Sequence, residues 1–208
     1  MYTIASMSRL DAPSAGAILA DLPATFSYTE ARAGGLSERR LYALRDAGVI
    51  EQLGRGLFQR ADVSGAADSD LIEIAHRAPE ATLCLTTALA RHGLTDAIPS
   101  SIDVALPRGA RHPRTQAPVT WHTFGADTFT IGRDEVELTE TVAIGLYSPE
   151  RCIVDAFRLR HLEGPEVAVE ALRRWLRRRG AHPATLLRMA RAFPKAEPAL
   201  RSTLEILQ

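Results

Sequence analysis

Five residues set the chemistry this sequence could do. Arg39, Arg40, Tyr42 and Arg45 fall within one short helical pattern, SERRLYALRD, and Arg55 stands between Gly54 and Gly56. A guanidinium is planar, permanently charged and forked, which suits bidentate contact with phosphate oxygens and with the O6/N7 edge of guanine. On a helical wheel Arg39, Tyr42, Ala43 and Asp46 lie opposite Leu41 and Leu44, with Arg40 and Arg45 flanking them. Such a face would present Arg39 to a base edge, Tyr42 to a base or phosphate, and Arg40 and Arg45 to the two backbones. Asp46 is expected to pair internally with an arginine one turn away, since a free acid on that face repels phosphates.

Two further arginine groups could form a second contact surface. The segment RGARHPR carries Arg108, Arg111 and Arg114, and the helical pattern after Pro165 carries Arg173, Arg174, Arg177 and Arg178 on one side, opposite Ala168, Leu172 and Trp175. A solvated helix face paired through Glu170 is the plainer reading of the second group.

Catalytic chemistry finds little support. The six histidines, 76, 92, 112, 122, 161 and 182, show no metal-ligand spacing and no HExxH. Asp103 and His122 fall on different predicted strands with no nucleophile beside them. Glycine spacing matches neither a phosphate loop nor a dinucleotide fingerprint. Cys84 and Cys152 sit in separate apolar patterns, where a small buried thiol is the usual role. The sequence therefore predicts no enzyme, no cofactor and no metal.

The elements that must position the arginines follow from local signals. SAGAILADLP is a short helix stopped by Pro23, with Ile18, Leu19 and Leu22 on its buried side. Thr29 to Ala33 is a helical turn or two after Phe26, and Gly34-Gly35 supplies a sharp reversal. Ser37 stands as the N-cap of the next helix, with Glu38 in its first turn. Gly48 ends that helix, and Val49 and Ile50 are expected to turn back to the core. Glu51–Leu53 and Leu57–Gln59 alternate around Gly54-Arg55-Gly56 as a tight hairpin. This is the order of parts in a winged helix-turn-helix, assigned to residues 1–62, with residues 1–12 a loose tail. The small, polar stretch at 63–69 reads as a linker.

Residues 70–208 predict an α+β domain. Leu71–Ala78 and Thr82–His92 are helical patterns. Five short alternating runs follow, around Ile102–Leu106, Val119–Thr123, Phe129–Ile131, Val136–Leu138 and Val142–Leu146. No helix-length segment separates them, which predicts a mostly antiparallel sheet. Ser148-Pro149 starts a helix whose buried side is Ile153, Val154, Phe157 and Leu162, with Arg151, Asp155 and Arg158 spaced to pair. Helices over 167–179, 184–193 and around Leu200, Leu204 and Leu207 complete a C-terminal helical bundle.

Composition bounds the rest. At 208 residues, with 46% hydrophobic and 24% charged residues, two small globular domains fit. Lys+Arg and Asp+Glu both number 25, so any nucleic-acid contact depends on local charge. Residues 1–65 hold seven basic and seven acidic groups, and 166–208 hold nine against four. No apolar run reaches membrane-span length and the start lacks a secretion signal, which predicts a cytoplasmic location without a membrane partner.

FSYTEARAGGLSERRLYALRDAGVIEQLGRGLF, TLCLTTALARHGL, IDVALPRGARHP and YSPERCIVDAFRLRH together resemble the AbiEi-like antitoxin family of type IV toxin–antitoxin systems. The RRLY helix with the RGLF hairpin, and the SPER helix start after a strand, carry the resemblance. It implies a repressor that binds inverted repeats in the promoter of its own operon and an antitoxin that counters a nucleotidyltransferase-type toxin. Carried over residue by residue, the resemblance makes Arg39, Arg40, Tyr42 and Arg55 DNA contacts, and Ser37 and Arg45 on the same helix complete the expected DNA-binding set. The competing reading is a winged-helix protein-interaction adaptor, or a plain transcriptional regulator without a toxin partner.

Overall fold

The computed structural model describes residues 14–63 and 69–207, and the expected tail at 1–12 and the linker positions 64–68 lie outside them. The chain divides into two compact units, Met1–Ala66 and Ala67–Gln208.

The first unit opens with α1 (Ala15–Asp21), capped by the Ser14 hydroxyl, which accepts from the Ala17 N–H at 3.2 Å. β1 (Thr25–Ser27) runs into α2 (Tyr28–Ala33) through a capping box: the Ser27 hydroxyl accepts from Glu30 N–H at 3.1 Å, and the Glu30 carboxylate from Ser27 N–H at 2.6 Å. α3 (Glu38–Asp46) follows, and β2 (Ile50–Gly54) and β3 (Leu57–Arg60) form the hairpin. The antiparallel sheet has the order β1-β3-β2. Phe26 and Phe58 stack across it at 6.1 Å, and both are fully buried with Ala31, Leu36, Leu41 and Ile50. Strand β1 had no signal in the sequence, because three residues are too few to show a period. Ile50 does return to the core, but Val49 is 45% exposed. Neighbours entering a strand point to opposite sides, so only one of the two could be buried.

In the second unit α4 (Ser69–Arg77) is followed by β4 (Thr82–Leu83), α5 (Leu85–Arg91), β5 (Ile102–Pro107), β6 (Val119–Phe124), β7 (Arg133–Glu137) and β8 (Ala143–Tyr147). Then come α6 (Pro149–Arg158), α7 (Arg160–Glu163), α8 (Pro165–Leu176), α9 (Pro183–Ala190) and α10 (Glu197–Leu207). The sheet order is β6-β5-β4-β8-β7.

The structure corrects four expectations. The sheet is mixed, not mostly antiparallel: β5 runs parallel to β6 and β4 parallel to β8, while β4/β5 and β7/β8 are antiparallel. The parallel β5/β6 pair is closed by residues 108–118, a crossover with no helix in it, so the absence of a helix-length spacer did not exclude parallel pairing. Thr82 and Leu83 begin the expected 82–92 helix as the central strand, and Phe129–Ile131 is irregular, with the Phe129 carbonyl accepting from the Tyr147 hydroxyl at 2.9 Å. Leu162, expected on the buried side, is 71% exposed because the helix breaks at Leu159.

α6 packs against α5, α8, α9 and α10, which leaves it buried on every side. Its Ser148 cap and Pro149 start are as the sequence predicts. The Arg151–Asp155–Arg158 group also forms, but inside the protein. Arg151 is fully buried and donates to Asp155 at 2.9 Å and to the Thr128 and Ile131 carbonyls at 2.7 and 2.5 Å. Its guanidinium lies 4.2 Å from the Tyr147 ring centre and 4.4 Å from that of Phe193. Burial pushes the Asp155 carboxyl up from its usual range, against the pull of Arg151 and Arg158.

Candidate nucleic-acid interface

Helix α3 owes its position to both of its ends and one buried side chain. The Ser37 hydroxyl accepts from the Arg40 N–H at 3.3 Å, so this residue caps the helix. At the far end Val49 N–H reaches the Leu44 carbonyl and Gly48 N–H the Arg45 carbonyl, both at 2.9 Å, with Gly48 at φ +70°. This is the Schellman arrangement. Leu41 is fully buried and fixes which face turns outward.

Arg39 and Arg40 are exposed on that outward face, and among the described residues neither has an acidic partner. Arg45 is differently placed. It donates to Asp46 at 2.7 and 3.0 Å and to the Gln52 side chain at 3.2 Å, and its guanidinium lies 4.7 Å from the Tyr42 ring centre. Asp46 does pair internally, but with the adjacent Arg45 and not with an arginine one turn away. Tyr42, expected on the open face, is half-buried and meets Phe58 edge-on at 6.2 Å. Tyr42 and Arg45 thus brace α3 against the β2–β3 hairpin.

Arg55 is exposed at the hairpin tip, where Gly56 has φ +72°. The turn is tied back to α2, since Tyr28 N–H donates to the Gly56 carbonyl at 2.7 Å, and the Tyr28 hydroxyl donates to Glu38 at 3.3 Å. Tyr28 thereby links α2, α3 and the hairpin. Together with Gln52 it is a positioning residue that the sequence did not single out, because one polar or aromatic residue beside a cap carries no pattern.

In the second unit Arg108, Arg111 and Arg114 are exposed in the crossover leading to β6, which is an edge strand. The α8 group is divided. The helix stops at Leu176, so Arg177 and Arg178 lie beyond it. Arg174 pairs with Asp96 at 2.5 Å and with Glu170 at 2.6 Å, and its hydrogen bonds hold the Asp96 carboxyl below its ordinary range. Arg178 donates to the His92 carbonyl. Arg173 and Arg177 remain exposed. Two of the four arginines therefore fasten α8 to the segment after α5.

Asp103 and His122 meet at 3.0 Å, and Thr87 donates its hydroxyl to the same carboxylate at 3.5 Å and accepts from Asp103 N–H at 2.9 Å. The group ties α5 to β5 and β6. Among the described residues no cluster of three or more His, Cys, Asp or Glu could hold a metal ion. No helix among them is long and apolar enough to cross a membrane.

Residues 17–61 match the family described as "Transcriptional regulator, AbiEi antitoxin". The matched segment runs from α1 through β3 and contains Ser37, Arg39, Arg40, Tyr42, Arg45 and Arg55. The fold is similar to that of the RV2827C protein from Mycobacterium tuberculosis, known from a crystal structure, with a TM-score of 0.55 and 18% identity over 93% of this chain and 78% of that one. No curated protein matches the sequence.

Proposed function

We propose that the chain is a DNA-binding transcriptional autoregulator that represses its own operon and acts as antitoxin to a nucleotidyltransferase-type toxin. Its first unit would work as a winged helix-turn-helix, with α3 in the major groove and the β2–β3 hairpin as the wing. One observation carries this reading: within the segment that matches an antitoxin regulator family, α3 presents Arg39 and Arg40 outward with no ion-pair partner among the described residues, on a helix braced to a hairpin whose tip is Arg55.

In this reading the residues divide the labour. Arg39, in the first turn of α3, reads a base edge, while Arg40 and Arg55 hold phosphates. Ser37, Tyr42 and Arg45 keep α3 and the hairpin in register, and Tyr42 and Arg45 touch DNA only at the rim. The chain holds no catalytic machinery of its own and works in the cytoplasm on inverted repeats in its promoter.

Two experiments test the proposal. A reporter driven by the chain's own upstream region should be repressed by the wild-type protein and derepressed by Arg39→Ala/Arg40→Ala. Co-expression should relieve the growth arrest caused by an adjacent nucleotidyltransferase gene. Unchanged repression by the double variant would remove α3 as the reading helix, and growth arrest that persists would remove the antitoxin role.

A further inference from the structure

We infer that the β5–β6 crossover and the edge strand β6 form a second nucleic-acid site, one that takes an unpaired base with its flanking phosphates. The His112 imidazole stacks on the Trp121 indole, with ring centres 5.8 Å apart and planes 20° from parallel. Trp121 packs against the core of the second unit, whereas His112 is exposed, so the stack ends on a solvent-exposed imidazole. A hydrogen bond of 3.1 Å between His112 Nε2 and the Thr123 hydroxyl fixes the ring in its plane. A base laid on His112 would extend a stack that is already built, and it would immobilise no further side chain.

The charge around the ring fits the same ligand. Arg108, Arg111 and Arg114 flank it within one loop, all exposed, and among the described residues none is paired with an acid. The loop is held at both ends. Arg108 N–H donates to the Phe124 carbonyl at 2.8 Å, and Gly109 takes φ +100° in the turn that follows. At the other end the Glu73 carboxylate, on α4 and 1% exposed, accepts from Gln116 N–H at 2.9 Å and from Ala117 N–H at 3.1 Å. Burying a carboxylate is costly unless it is paired, and this one is spent on two loop amides and Arg77 at 2.8 Å. The result is a loop tied down at both ends that carries three exposed cations and an exposed imidazole stacked on Trp121. A duplex keeps its bases inside the stack, so only an unpaired strand satisfies both features.

The test uses the full chain and labelled, unstructured RNA and DNA strands of roughly twelve nucleotides and one sequence, with the matching duplex and inorganic polyphosphate as controls. Changing Arg108, Arg111 and Arg114 together to alanine should weaken single-strand binding at least tenfold and flatten its log–log salt dependence by about 2. His112→Gln should weaken single strands by about fivefold or more and leave polyphosphate binding unchanged. Whether RNA or DNA binds more tightly identifies the source of the strand.

An Arg39→Ala/Arg40→Ala/Arg55→Ala variant separates this site from the promoter-reading one, because it should lose the promoter and keep the single strand. The inference is overturned if the triple loop variant binds single strands like wild type. Single-strand binding that His112→Gln leaves at the wild-type level would overturn it too, as would tighter capture of an acidic peptide than of either strand.

Discussion

Replacing Arg151 by alanine should be among the most damaging single changes in the second unit. The side chain is fully buried, and its removal deprives Asp155 of a 2.9 Å partner and takes the guanidinium donor from the Thr128 and Ile131 carbonyls. It also removes the cation from above Tyr147 and Phe193. Breaking one side of a buried, hydrogen-bonded ion pair costs about 3–5 kcal/mol. For a unit of this size that corresponds to a fall in Tm of roughly 10 °C or more. Urea and thermal unfolding followed by circular dichroism would measure it, with Asp155→Ala and the double variant completing a cycle. The network predicts a coupling of about 1–3 kcal/mol, since the second deletion removes a buried carboxylate that the first left with Arg158 as its one cation. A loss below about 1 kcal/mol for Arg151→Ala would refute the reasoning and return the group to the status of a surface pair.

Other expectations follow from the same geometry. Glu73→Ala should speed hydrogen exchange at the Gln116 and Ala117 amides, which lose their shared acceptor, and should cost about 2 kcal/mol in chemical denaturation. Cys152 is fully buried, its thiol donates to the Tyr147 carbonyl at 3.3 Å, and burial pushes its pKa far up, so it stays a neutral thiol into the alkaline range. Iodoacetamide should therefore label it only in denaturant, as mass spectrometry would report, and rapid native labelling at pH 8 would contradict its placement. Tyr42→Phe should bind DNA and unfold like wild type, whereas Tyr42→Ala should cost about 2 kcal/mol by removing the ring that meets Phe58 and underlies Arg45.

Features fixed by local chemistry could be read from the residues. Ser37 and Ser148 act as N-caps, Gly48 closes α3, and Gly54-Arg55-Gly56 turns the hairpin, because each depends on a few adjacent groups. Features fixed by distant partners could not. β4 is a strand only because β5 and β8 pair with its two residues from either side, and two residues have no period. The spacing of Arg151, Asp155 and Arg158 announced the pair but not its burial, which is imposed by Phe124 and by Phe193 on the segment after α9. The wheel of α3 set Tyr42 opposite Leu41, yet the hairpin folds back far enough for Phe58 to reach it. The stack of His112 on Trp121 likewise joins a loop to a strand and leaves no trace in either segment alone.

The central claim is that α3 reads DNA through Arg39. An equilibrium titration of the full chain against its own promoter fragment, at several salt concentrations and with every base pair of the site varied in turn, tests it most directly. Arg39→Ala should cost about 1–3 kcal/mol and relax preference at one base pair, while Arg55→Ala should weaken all sequences alike and lower the salt slope by about 1. Wild-type affinity and an unchanged base preference in the Arg39→Ala variant would contradict it.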